Sequence, residues 1–145
     1  MHRGGTLLSP TIAYETWGTL NHVRDNAILI FTGMSPSAHA ASSPEDPTPG
    51  WWEEIIGPGR PIDTHRYFVI VVNSLGSCFG WTGPAPVDPR TGDLYRLRFP
   101  VLSLEDVARG GFEVLKHLGV NRLKATLGPS MGGMTALGFE LLFPG

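Results

Sequence analysis

A glycine-flanked serine is the first group in this sequence that could do covalent chemistry. Residues 128–133 (GPSMGG) fit the pattern G-x-S-x-G, in which a tight strand-to-helix turn lifts the serine hydroxyl above a sheet. Small residues two positions before and after the serine keep such a turn free of clashes. The helix that follows points its N-terminus at the serine, so the N–H of Met131 can stabilise an oxyanion. We therefore predict that Ser130 is a nucleophile and that Gly128 and Gly132 form its turn.

Two simpler interpretations of residues 128–133 remain open. The segment could be a glycine-rich turn with an incidental serine, or a phosphate-binding loop. A P-loop is excluded because no Gly-Lys-Ser/Thr follows. A strand-like run before the motif and an apolar helical run after it favour the nucleophile.

A second oxyanion donor is expected after the apolar run Ala27–Phe31, in the segment TGMSP (residues 32–36). Gly33 permits a sharp turn there, which would direct the N–H of Met34 at the serine. An ordinary turn at the end of a strand is the alternative.

The general base that such a serine needs is not found after it. In this type of site the order along the chain is serine, then Asp or Glu, then histidine. All five histidines precede Ser130. His39 is the one candidate for a substitute base, and its position in the chain disfavours it. Without a base a serine hydroxyl is a poor nucleophile, so we expect the chain as it stands to be inactive.

Strand-like and helical patterns alternate along the chain, which favours an α/β fold with a mostly parallel sheet and flanking helices. The alternating or β-branched runs predict strands, and the runs with a helical period predict helices. The strands are expected at Thr11–Trp17, Ala27–Phe31, Tyr67–Val72 and Leu123–Leu127, and the helices at Ser103–Leu118 and Met131–Phe143. Two long loops separate them, 35–49 and 80–100, and loops of this length are usually functional or disordered.

Composition excludes several classes of function. The formal net charge is −2 and the 11 basic residues are scattered, so we expect no nucleic-acid partner. No apolar run approaches the roughly 20 residues of a membrane span, and no signal peptide is visible. The single cysteine, Cys78, cannot form an internal disulfide, which suits a cytoplasmic protein; we expect a structural role for it. No spacing of Cys, His and carboxylates indicates a metal site.

Several motifs together resemble one family, the homoserine O-acetyltransferase family of α/β-hydrolase-fold acyltransferases. Its members transfer acyl groups from CoA to the side-chain hydroxyl of homoserine or serine. The motifs that carry the resemblance are AYETWG (13–18), PGWW (49–52), IGPG (56–59), IDT (62–64), NSLGSC (73–78), TGP (82–84), FP (99–100) and SMGGM (130–134). The resemblance implies that chain 1–145 is the N-terminal part of one α/β-hydrolase domain. The later strands, the lid and the Asp and His of the triad would follow Gly145.

Within that family, the segment TGMSPSAHA (32–40) looks most like the serine O-succinyltransferase branch. In this branch Gly33, Met34, Ser35 and Pro36 are expected to shape the pocket for the amino-acid acceptor. Serine and homoserine differ by one methylene, which a pocket distinguishes by only about 1–3 kcal/mol. One departure from the family pattern is Trp81, which stands where a small residue is usual.

The resemblance also implies a ping-pong reaction with acyl-CoA as co-substrate and no other cofactor. An acyl group would pass from succinyl-CoA or acetyl-CoA to Ser130, and then to L-serine or L-homoserine. A homodimer in the cytoplasm is expected for the full-length protein. Three alternatives remain open: a homoserine O-acetyltransferase or O-succinyltransferase, a serine esterase or thioesterase with water as acceptor, and a non-catalytic fragment or binding module.

Overall fold

The computed structural model describes residues 1–77 and 79–144. The structural role predicted for Cys78 falls outside the described residues and stays a prediction. In the described residues the elements follow in this order: β1 (Tyr14–Trp17), β2 (Ala27–Phe31), β3 (Ile56–Gly57), β4 (Ile62–Asp63), β5 (Phe68–Val72), a 3-10 helix (Arg96–Arg98), α1 (Leu104–Leu118), β6 (Leu123–Leu127) and α2 (Met131–Leu142).

The main sheet has four strands in the order β1-β5-β2-β6. Strands β5, β2 and β6 are parallel, and β1 lies antiparallel at one edge. The predicted α/β fold with a mostly parallel sheet is confirmed. The bounds hold within a residue for every predicted element except β1, which begins at Tyr14 because its pairing with β5 starts at Tyr14 and Val72.

The two faces of the sheet are covered differently. Side chains alternate along each strand, so Leu29 and Phe31 face one way while Ile28 and Ile30 face the other. The Leu29 face packs against α1 and α2. The Ile28 face packs against loop residues Ala38, Ala40 and Ala41 and against the small β3–β4 sheet.

The first long loop is therefore the second layer of the core. Sequence patterns predicted residues 35–49 as a loop, and their place over the sheet was not foreseen. Strands β3 and β4 were not predicted either, because a two-residue strand is too short to show the alternation of apolar and polar residues. The burial of the Ile28 face of the sheet therefore depends on the contacts that hold loop 35–49 in place.

Helix α1 has a capping residue at each end. The N–H of Ser103 donates to the carboxylate of Asp106 at 3.2 Å. At the other end Gly119 has a left-handed φ of 70° and ends the helix. In the middle, Gly110 makes room for the unusual Trp81, since a Cβ there would lie 2.5 Å from the indole ring. Trp81 is buried and donates its indole N–H to the Ala13 carbonyl at 3.2 Å.

Candidate active site

Ser130 stands at the junction of β6 and α2 in a strained backbone conformation. Its φ is 54° and its ψ is −125°, a region that non-glycine residues rarely occupy and that is concentrated at functional sites. The side chain is exposed. A residue held in such a conformation at the carboxyl end of a parallel strand can present its hydroxyl to a substrate.

The backbone leaves no room for a side chain at the two glycines of the turn. A Cβ on Gly132 would overlap the carbonyl oxygen of Phe31, and a Cβ on Gly128 would overlap the carbonyl group of Gly132. The structure thus places both predicted turn residues where only glycine fits. The tight turn brings the first turn of α2 against the end of β2.

The N-terminus of α2 is arranged around Ser130. The N–H of Gly132 donates to the Pro129 carbonyl at 2.9 Å, and that of Gly133 donates to the Ser130 carbonyl at 3.0 Å. In the described part of the chain, the Met131 N–H donates to no other group. An unused N–H at a helix N-terminus beside the serine has the chemistry of an oxyanion donor. That role for Met131 stays a prediction.

Gly33 lies against the serine turn. A Cβ on Gly33 would be 3.7 Å from the Cβ of Ser130 and 3.6 Å from the Pro129 carbonyl oxygen. The two segments meet because β2 and β6 are parallel neighbours, so their carboxyl ends share one edge of the sheet. The predicted second oxyanion segment and the predicted nucleophile are therefore brought together, although the sequence separates them by almost 100 residues.

The rest of that segment is presented to solvent. Met34 is 77% exposed, and Ser35 is exposed beside it, while Pro36 is partly buried. Exposure next to Ser130 is compatible with a role in binding an acceptor. The specific roles of Gly33, Met34, Ser35 and Pro36 stay predictions.

Two buried residues with hydroxyl groups, Thr32 and Ser74, lie at the start of the Gly33–Pro36 segment. Neither was identified from the sequence as part of the site. Ser74, which follows β5, lies 3.4 Å from the carbonyl oxygens of both Thr32 and Gly33, and its hydroxyl oxygen is 3.3 Å from that of Thr32. Thr32 also donates its N–H to the Val72 carbonyl at 3.3 Å. The signal was the motif NSLGSC directly after a buried strand, where parallel strands place polar residues at the site edge.

His39 has no free ring nitrogen with which to act as a base. Its Nδ1 lies 2.9 Å from Glu15 Oε2, and its Nε2 lies 2.8 Å from the Thr48 carbonyl oxygen. The Thr48 carbonyl, followed by Glu15, raises the pKa of His39 above its ordinary value. The ring is therefore unsuited to take a proton from Ser130, in line with the sequence order.

A carboxylate organises the loop that contains His39. Glu53 accepts hydrogen bonds from the Ser42 hydroxyl at 2.6 Å, the Ser42 N–H at 2.8 Å and the Gly50 N–H at 3.0 Å. The Ser42 hydroxyl, followed by the Gly50 and Ser42 N–H groups, lowers the pKa of Glu53 to about 2. Three donors on one ionised carboxylate fold the loop back on itself.

A cavity of about 590 Å³ lies away from Ser130. It opens between the C-terminal parts of α1 and α2 and the edge strand β6, and its lining includes Phe112, Phe139 and Lys124. None of the predicted site residues line it. The site edge at Ser130 is a separate surface.

No helix among residues 1–77 and 79–144 has both the length and the apolar character needed to cross a membrane. In the same part of the chain no group of three or more His, Cys, Asp or Glu side chains could hold a metal ion.

Curated relatives resemble the whole of this chain. A serine O-succinyltransferase of Litchfieldella anticariensis is 59% identical over 145 residues, which are 100% of this chain and 40% of that protein. An L-serine/homoserine O-acetyltransferase of Streptomyces lavendulae is 61% identical over 137 residues, 94% of this chain and 37% of that protein. The chain thus spans less than half the length of the curated relatives that it matches.

Solved structures agree with the sequence relatives, whereas no family model matches the chain. The homoserine O-acetyltransferase from Bacillus anthracis superposes with a TM-score of 0.88 at 43% identity, over 93% of this chain and 38% of that one. Esterase E22 superposes with a TM-score of 0.84 at 41% identity, over 92% of this chain and 39% of that one. Its sequence relatives, its sheet and its serine turn together show that the chain has the α/β-hydrolase type of fold and is similar, over nearly its whole length, to part of the serine and homoserine O-acyltransferases.

Proposed function

We propose that the full-length protein carrying this chain is an acyl-CoA-dependent O-acyltransferase, and that its acceptor is the hydroxyl of L-serine. The observation that carries the proposal is the geometry at Ser130. A strained, exposed serine at a helix N-terminus lies against a glycine segment that can supply a second oxyanion donor. The names of the curated relatives support acyl transfer as the reaction class.

The reaction takes two half-steps at one hydroxyl. Ser130 Oγ attacks the thioester carbonyl of the acyl-CoA, and its proton passes to a base, which the family resemblance implies to be a histidine after Gly145. The C–S bond breaks, CoA takes the proton as a free thiol, and the acyl group stays on Ser130 as an ester. The acceptor hydroxyl then attacks that ester, gives its proton to the same base, and Ser130 recovers a proton as the product leaves.

Each oxyanion on this path needs donors that are already in place. The Met131 N–H at the start of α2 and the Met34 N–H after Gly33 are the two that we assign. Fixed donors beside the reacting carbonyl lower the barrier because they need no reorganisation as charge develops.

Succinyl-CoA as donor and L-serine as acceptor are the specific substrates that we propose. The support is the segment Gly33–Pro36, which borders the nucleophile and resembles the serine O-succinyltransferase branch. Several matched relatives carry that name. We further propose that the protein acts in the cytoplasm as a homodimer, without a cofactor beyond the acyl-CoA.

The experiment is an assay of the full-length protein for CoA release from succinyl-CoA and acetyl-CoA. Each donor is tested with L-serine, with L-homoserine and with neither. We expect CoA release in excess of one equivalent of enzyme only when an amino acid is present, and fastest with succinyl-CoA and L-serine. Sustained CoA release that ignores both amino acids would refute the transferase.

A serine hydrolase is the second candidate, and the likeness to esterase E22 favours it. Water would then take the place of the amino-acid hydroxyl in the second half-step. The same assay separates the two, because a hydrolase turns over without an amino acid and forms free carboxylic acid. Mass spectrometry of the product distinguishes an O-acyl amino acid from that acid.

A further inference from the structure

His39 is held by acceptors at both ring nitrogens. Glu15 on β1 offers a carboxylate oxygen at 2.9 Å from Nδ1, and Thr48 offers its carbonyl oxygen at 2.8 Å from Nε2. A carbonyl oxygen has no proton to give, and an ionised carboxylate has none either. The Thr48 hydroxyl oxygen also lies 3.2 Å from Nε2, and it donates its one proton to Asp46 at 2.6 Å, so it too presents an acceptor to the ring. Both ring nitrogens must therefore carry protons for both hydrogen bonds to exist, so this geometry is that of an imidazolium.

The contacts of His39 continue to the segment beside Ser130. The N–H of His39 donates to the Ser37 hydroxyl at 3.2 Å. The Ser37 carbonyl in turn accepts the indole N–H of Trp51 at 2.9 Å. Ser37 directly follows Pro36, so the far end of the Gly33–Pro36 segment is fixed by this group, while Ser74 fixes the near end at Gly33.

The ring also joins separate parts of the fold. Glu15 belongs to the edge strand β1, whereas Thr48 belongs to the loop that covers the Ile28 face of the sheet. The His39 side chain is only 16% exposed between them. One protonated ring thus ties the covering loop to the sheet at a point three residues after Pro36.

We propose that His39 is a positioning residue: as an imidazolium it holds the Gly33–Pro36 segment against Ser130, and it releases part of that hold when it loses its proton. This inference rests on Ser130 being the acylated residue of the proposed function. It assigns His39 no proton transfer with the substrate. Its effect reaches the reaction through the Met34 N–H.

The direction of the pH effect follows from the charges that face the ring. Two carboxylates face the His39 ring: Glu15 from β1 and Asp46 from the covering loop. An Asp46 carboxylate oxygen lies 3.8 Å from Nδ1. The Thr48 carbonyl and these carboxylates favour the charged ring, so its pKa is raised from 6.5. The hold is complete below pH 6.5 and is lost as the pH rises through the higher, folded-state pKa. The neutral ring keeps one N–H and must give up one of its two hydrogen bonds.

The first test measures the ring itself by ¹⁵N NMR of the full-length protein, with histidine signals assigned by His39→Gln. We expect both ring nitrogens of His39 to be protonated at pH 6, with a midpoint above 6.5. We also expect Glu15→Gln to lower that midpoint. A midpoint at or below 6.5, or one unprotonated ring nitrogen at pH 6, would overturn the proposal.

The second test measures the pH dependence of Ser130 acylation, with a p-nitrophenyl ester as the probe and the nitrophenol burst as the signal. Wild-type acylation should fall on the alkaline side as His39 loses its proton. In His39→Gln, whose amide supplies one donor and no charge, that alkaline decline should be absent. The variant should be about tenfold slower than wild type near pH 6.5, the size of one lost hydrogen bond, and equal to it at high pH.

Controls separate this inference from the proposed function. His22, an exposed histidine in a turn, gives the matched variant His22→Gln, which should keep the wild-type profile. Glu15→Gln should shift the alkaline decline to lower pH in a folded protein. A constant ratio of variant to wild-type rates at every pH would make His39 merely structural and overturn the proposal. Failure of both L-serine and L-homoserine to accept an acyl group would instead refute the transferase and leave the burst and NMR results intact.

Discussion

Gly33 faces Ser130 across the carboxyl edge of the sheet, and a Cβ added to Gly33 would lie 3.7 Å from the Cβ of Ser130. This distance is an ordinary van der Waals contact, and Gly33 does not have a positive φ. The chain would therefore tolerate alanine there, yet the added methyl group would fill the space beside the nucleophile.

Gly33→Ala should consequently separate activity from stability. We expect the free energy of unfolding to change by less than about 0.5 kcal/mol, while Ser130 acylation slows at least several-fold. Denaturant unfolding and the ester burst measure the two quantities on the same full-length protein. A large loss of stability would contradict the unstrained contacts expected of a Cβ at this position.

Gly132→Ala, unlike Gly33→Ala, should strongly reduce the stability of the protein. Its Cβ would overlap the Phe31 carbonyl oxygen, which belongs to the sheet backbone and cannot move freely. We expect a loss of about 3 kcal/mol or more in the free energy of unfolding. Gly138→Ala in the same helix is the matched control. Nothing lies within 4 Å of that position, so alanine should stabilise the helix by up to about 1 kcal/mol.

Ser130 should be a site where function costs stability. Its φ of 54° and ψ of −125° strain any residue with a Cβ. We expect Ser130→Gly to be more stable than Ser130→Ala by about 1 kcal/mol, since glycine adopts this conformation without a steric penalty. Both variants should lose acylation entirely. Equal melting temperatures for the two variants would show that the turn is unstrained.

Glu53 should make the covering loop sensitive to acid. Folding lowers its pKa from 4.5 to about 2 through the Ser42 and Gly50 donors. Its stabilising effect is therefore present above pH 4.5 and is lost as the pH falls toward 2. Stability measured across that range should decline less in Glu53→Gln than in wild type. The neighbouring Glu54, whose side chain is 81% exposed, gives the control Glu54→Gln, which should keep the wild-type decline.

Trp81 and Gly110 should be energetically coupled. An alanine Cβ at position 110 would lie 2.5 Å from the indole ring, so Gly110→Ala should destabilise the protein by about 1–3 kcal/mol. Trp81→Phe shortens the ring and should relieve that clash. A double-mutant cycle should show that Gly110→Ala costs less in the Trp81→Phe background. Additive effects would mean that the two residues do not share the space.

Sequence patterns located most of the regular elements because their signals are local. The runs Ala27–Phe31 and Leu123–Leu127 have the length and residue types of parallel strands, and both were predicted with the observed bounds. The N-terminal residue Ser103 and the terminal Gly119 likewise marked α1. The serine turn was visible because its glycines and its flanking elements are contiguous in the chain.

The tertiary structure decided what is brought to Ser130 and what holds it there. The meeting of Gly33 with Ser130 depends on β2 and β6 being neighbours in the sheet, and strand order is a property of the whole fold. The support from Ser74 depends on β5 lying on the other side of β2. The ties of His39 to Glu15 and Thr48 join residues with no periodic relation, so no sequence pattern could reveal them. The sequence by itself determined a serine turn and an α/β order of elements. The pairing of the strands and the packing of an irregular loop decided which residues surround Ser130. The physical reason is that these non-local contacts are set by the burial of the whole sheet.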